Sequence, residues 1–103
     1  MAEDEEQLAR EIADELRKVR VEDVLIQTLV TVSSIGYRSL GLTADTRADR
    51  QLDQARLAIE TMKALTPVVG QVVPPELVRD FDASVANLQL AYVKAAAEPD
   101  AGA

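Results

Sequence analysis

Carboxylates are the side chains in this sequence whose number and spacing come nearest to a reaction centre. Glu3 and Glu6 form a Glu-x-x-Glu pair, and Glu11 and Asp14 a Glu-x-x-Asp pair. On a helix that spacing puts both members on one face, where oxygen ligands suit a hard cation such as magnesium. Asp45, Asp49 and Asp53 follow at i, i+4 and i+8, a spacing expected on one side of a third helix. The chemistry such clusters would serve is metal-assisted phosphate hydrolysis. Composition closes most other routes, because the chain has no histidine, no cysteine and no tryptophan. There is no imidazole to move a proton near neutral pH, no thiolate nucleophile, and no soft or imidazole ligand for zinc, copper or iron–sulfur.

Context counts against the metal reading. All-α nucleotide pyrophosphohydrolases place such carboxylate pairs on facing helices, whereas both pairs here lie on one charged helix and cannot face each other across a pocket. Arg47, Arg50 and Arg56 interleave with the aspartates, the pattern of a salt-bridged, solvated face. Ser33, Ser34, Ser39 and Ser84 have no histidine to activate them and no Gly-x-Ser-x-Gly elbow; no spacing recommends Lys18, Lys63 or Lys94 as their base. Tyr92 falls on an apolar stripe and reads as core, and Tyr37 beside Arg38 as a core-edge or surface anchor. The four glycines are scattered and make no phosphate loop. The expectation is a protein that is not an enzyme, with no metal and no cofactor.

The elements that hold these residues are helical. In 103 residues, 48% are hydrophobic and only three are aromatic, so the chain suits one small domain with an aliphatic core. The formal net charge is −7, which disfavours direct contact with nucleic-acid phosphates. The one basic cluster, Arg17-Lys18-Val19-Arg20, reads as cations at a helix carboxyl end. The amino terminus, Met-Ala-Glu-Asp-Glu-Glu, is the opposite of a basic signal-peptide start. The most apolar run, Val24 to Tyr37, is too short for a bilayer and contains Gln27, Thr28 and Thr31. A soluble, cytoplasmic protein is expected, with no membrane partner.

The fold class expected is all-α: a small bundle of three core helices (21–97) plus an acidic amphipathic amino-terminal helix (1–20), completed by homo-oligomerisation. Residues 98–103 read as a disordered tail. In the first helix Leu8, Ile12, Leu16 and Val19 draw one narrow apolar seam suited to docking on the core, on a copy of itself or on another protein. The second segment, about Val21 to Leu40, is rich in β-branched residues, but its polar positions step at helical spacing and Gly41 can cap it. A third helix is expected from Thr46 to Leu65, with Leu52, Ala55, Ile59, Met62 and Leu65 inward and Pro67 as its stop. The stretch Pro67–Pro75 carries four valines, which either fold back onto the core or form a contact surface. Pro75 starts a fourth helix with Leu77, Phe81, Val85, Leu88 and Tyr92 inward.

The second helix is apolar over more of its circumference than a small bundle covers, so a second subunit is expected on it. The self-association residues expected are Leu25, Leu29, Val32, Ser33 and Gly36, the small ones allowing close backbone approach. The seam Leu8, Ile12, Leu16 and Val19 is the expected partner-binding surface. Three functions follow in order: a non-catalytic self-assembly or interaction module, a magnesium-dependent phosphohydrolase, and an acidic adaptor for a basic, translation-related partner.

The order apolar helix, Leu40-Gly41, then Leu52-x-x-Ala55-x-x-x-Ile59-Glu60-x-Met62, then Leu88-Gln89-Leu90-Ala91-Tyr92-Val93 resembles a family of small bacterial proteins, domain of unknown function 1844. The resemblance covers about residues 24–96 and leaves the first helix outside. It departs at the valine-rich 67–75 stretch, where that family has a polar connection, and at Glu60, where Asp is commoner. It implies a small α-helical protein without an assigned activity.

Overall fold

The computed structural model describes residues 2–98. They form α1 (Ala2–Lys18), α2 (Val21–Ser39), a single 3-10 turn (Arg47–Asp49), α3 (Leu52–Val69) and α4 (Pro75–Ala97), with no strand among the described residues. Helices α2, α3 and α4 pack on one another, whereas α1 contributes no buried residue. The consequence is an elongated molecule, 62 Å in its longest dimension. Its Cα radius of gyration is 18.8 Å, against about 13 Å for a compact chain of about 100 residues.

Helix α2 forms despite its β-branched residues because it packs on α3 and α4, and its hydroxyls find partners within the helix. Thr28 Oγ1 donates to the Val24 carbonyl at 2.8 Å, Ser34 Oγ to Val30 at 3.0 Å and Ser39 Oγ to Ile35 at 2.8 Å. It ends as its sequence suggests. Gly41 takes a φ of +61° and its N–H donates to the Arg38 carbonyl at 3.1 Å. A Cβ there would also meet Arg50 Cβ at 2.7 Å, so both backbone and space demand glycine.

Both ends of α3 differ from the sequence expectation. It starts at Leu52 instead of Thr46, because Thr43 and Thr46 bond to each other (Oγ1 to Oγ1, 2.8 Å) and hold residues 43–49 in turns. It runs through Pro67 to Val69. Proline this late removes only the bond to the carbonyl of exposed Lys63, and the added turn buries Val69 completely. Thr66, itself buried, is satisfied by donating to the Met62 carbonyl at 2.7 Å. The valine-rich stretch therefore divides: Val69 and Val73 pack on the core, while Val68 and Val72 stay exposed. Pro75 opens α4 as expected, with Glu76 in the first turn.

The core is aliphatic with Phe81 in it: Leu29, Leu40, Ile59, Met62, Val69 and Leu88 are among its buried members. The expected inward faces of α3 and α4 all belong to it or pack against it. Close approach at one point sets the α2–α3 geometry. A Cβ on Gly36 would lie 2.8 Å from Ala58 Cβ and 3.5 Å from Leu88 Cδ2.

Two stability outcomes follow. Gly36→Ala should destabilise by about 1–3 kcal/mol in denaturant melts through overpacking, outweighing the roughly 1 kcal/mol that alanine gains over glycine in a helix. Adding Ala58→Gly should recover part of that loss. Leu88→Ala should cost about 2–5 kcal/mol, whereas exposed Leu90→Ala should stay within about 0.5 kcal/mol of the parent.

Candidate interaction surfaces

The carboxylates singled out for metal chemistry do not converge. Glu3, Glu6, Glu11 and Asp14 lie along the open side of α1 with Arg10 among them. Ion pairs Arg10–Glu6 (4.0 Å) and Arg17–Asp14 (3.1 Å) run within the same helix. Asp45, Asp49 and Asp53 do not share a helix. They fall in the turn, in the 3-10 turn and in α3, and Asp49 pairs with Arg38 at 3.5 Å. Among the described residues no three His, Cys, Asp or Glu side chains are grouped to hold a metal. Nor is any helix there long and apolar enough to cross a membrane.

Arg50 is the charged residue whose role sequence reasoning missed. It was expected on a solvated face with Arg47 and Arg56, yet its side chain is mostly buried. Its Nε donates to the Leu40 carbonyl at 2.8 Å and its Nη2 to the Gly41 carbonyl at 3.2 Å, capping the end of α2. The same Nη2 donates to Glu98 Oε2 at 2.8 Å, just past the end of α4. Gln51 N–H donates to the Ser39 carbonyl at 2.8 Å, so the start of α3 is tied in as well. Three helix ends meet at one guanidinium. Glu98, assigned to a disordered tail, is thus an anchored residue, and 99–103 lie outside the described residues. Proximity of Arg50 to Gly41 in sequence gave the only signal, and nothing in the pattern pointed to residue 98.

Two of the exposed apolar surfaces bear on the sequence expectations, while Leu90, Val93 and Val72 are exposed elsewhere. Along α1 and the residue that follows it, Leu8, Ile12, Leu16 and Val19 line one continuous stripe with Glu11 and Glu15 beside it, each of the four at least half exposed. The seam exists as expected and packs on nothing. On the core, α2 and α3 run antiparallel and leave a shallow groove lined by Val32, Ile35, Gln54, Leu57, Ala58 and Thr61. The rows that continue it, Val24-Thr28-Thr31-Ile35 and Leu57-Thr61-Ala64-Val68, contain no charged residue in a chain that is 28% charged.

The residues expected to self-associate are distributed differently from that expectation. Leu29 is fully buried and Gly36 lies against Ala58, both inside the three-helix core. Leu25 and Ser33 are half-buried, Leu25 packing on the same core. Val32 alone of the five lines the outer groove, joined there by Ile35 and Leu57, which were not among them. Breadth of apolar character on α2 was legible, but which arc α3 would cover was not. Gly36, the small residue that permits the closest approach, meets Ala58 of the same chain. No protein-family model, curated protein or solved structure matches this chain.

The Arg50–Glu98 contact carries a pH signature. The hydrogen bond from Arg50 foremost, helped by the positive charges of Arg50, Arg47 and Lys94, holds the Glu98 carboxyl below its ordinary 4.5, against a smaller desolvation effect. A depressed carboxyl pKa stabilises the fold above the unfolded-state value and ceases to do so as pH falls through the folded one. Glu98→Gln should therefore lower the melting temperature at neutral pH, and the gap between the two proteins should close as pH drops below 4.5. Thermal melts of both across an acid pH series read this directly.

Proposed function

We propose that this chain is a non-catalytic helical module that self-associates and presents α1 to a protein partner. The observation that carries the reading is the uncharged α2–α3 face centred on Ile35 and Leu57. Exposed apolar rows on two adjacent helices are the kind of surface that soluble proteins keep for contacts with other proteins. The resemblance to domain of unknown function 1844, carried by the core residues quoted above, bears on the helical architecture alone and adds no activity. Among the described residues no three carboxylates are grouped to hold a metal, so this reading is preferred to a phosphohydrolase.

A second reading has its own observation. Helix α1 carries seven carboxylates against three cations, all exposed, so an acidic adaptor for a basic protein is its natural extension. Binding of that kind weakens steeply with salt, whereas contact through the apolar face is nearly indifferent to it.

Light scattering on the purified chain should give a mass above that of one chain. Ile35→Asp or Leu57→Asp, at exposed positions, should reduce it to one chain with helical circular dichroism retained. Leu29→Asp should instead unfold the protein, because that site is core. A parent protein that runs as a single chain at all concentrations overturns the self-association reading.

A further inference from the structure

We infer that the occupant of the α2–α3 groove is the α1 helix of a second copy, each chain laying its seam into the other. This rests on the self-association reading above and specifies its contact. The first argument is dimensional. Leu8 to Val19 spans twelve residues, eleven steps along the helix, and so do Val24 to Ile35 and Leu57 to Val68. At helical rise each row is about 16 Å long. The rows step 4-4-3 on α1 and 4-3-4 on both α2 and α3, the spacings by which helices mesh side by side.

Charge selects this pairing over the competing one. Two α1 helices meeting seam to seam would bring together two strongly acidic helices, each with Glu11 and Glu15 at the edge of its seam. The α2–α3 rows themselves carry no charge, with Asp53 and Glu60 only along the outer edge of α3 and Arg38 at the end of the α2 row. The seam itself therefore meets an uncharged surface. The alanines Ala9 and Ala13 of α1 flank the seam on the side away from those glutamates and permit close approach.

The joint between α1 and α2 leaves the seam free for a second copy. Only Val19 and Arg20 separate the helices. Arg20 is extended, its carbonyl accepts from Asp23 N–H at 3.0 Å, and its Nε reaches Glu22 at 3.4 Å. With this joint, α1 buries no residue and its seam stands exposed, clear of its own chain's groove. A seam docked once engages few residues, but a two-fold exchange repeats it, moving each chain toward the roughly 20–30 residues a side of a stable interface.

The absence of native cysteine makes the test direct. Ile12→Cys and Leu57→Cys are placed at exposed positions in separate full-length chains, which are mixed, oxidised and run without reductant. A disulfide-linked pair containing one chain of each kind, in clear excess over same-kind pairs, is the expected result. Predominant Ile12→Cys homodimers mean α1 pairs with α1, and predominant Leu57→Cys homodimers mean face meets face. Either overturns the exchange while leaving self-association standing. The double variant, diluted and oxidised, separates the remaining case: an internal bond in a single chain overturns the exchange in favour of folding back. A parent mass of one chain by light scattering, with no cross-link, overturns this inference together with the reading beneath it.

Discussion

The contact between Gly36 and Ala58 governs the shape of everything around it. Without a side chain at 36, the α2 backbone comes down onto α3, and Leu88 of α4 fills the space beneath the crossing. The inner arc of α2 is consumed by that approach. What remains of its apolar surface is turned outward beside α3, so the close packing inside and the uncharged groove outside have one origin. A bulkier residue at 36 would spread the helices and alter both at once.

Arg50 and Glu98 answer the separate problem of helix ends. Helices leave carbonyls without partners at their carboxyl termini, and a chain of this size has little surface under which to hide them. A single guanidinium covers the Leu40 and Gly41 carbonyls just beyond α2 and pairs with a carboxylate beyond α4. The long connection between α2 and α3 is thereby fixed at its far end, with Thr43 and Thr46 bracing its middle. The bundle's open end is closed by polar contacts and its middle by apolar ones.

Much of the fold was legible because periodicity reports it. The inward faces of α3 and α4, the amino-terminal seam, the Gly41 cap and Pro75 at a helix start all rest on local rules that the structure follows. The failures share a cause, which is tertiary context. Pro67 obeys a rule about helix interiors, but the burial of Val69 beyond it carries α3 onward. Arg50 looks like one of several surface arginines until Gly41 and Glu98 are brought to it from distant parts of the chain. Leu29 and Gly36 were read from a helix too apolar for one partner, and a sequence does not say which arc the first partner takes. Ile35 and Leu57 had a signal, since both sit in rows free of charge, but comparing rows requires knowing that the two helices are neighbours.

Helix α1 buries nothing, so it stands on its own helix–coil equilibrium. Seventeen residues is close to the shortest length, about 12–15, at which an isolated helix persists in water even with good formers. Acidic residues in its first turn and basic ones in its last favour the folded form, and ion pairs along its surface add a little more. The molecule thus consists of two cooperative units of unequal resilience. The three-helix core is expected to melt as one body and α1 to fray gradually with temperature, its backbone amides exchanging with solvent faster than those of α3. Covering the seam would add helix to α1, and part of any binding energy would go into ordering it.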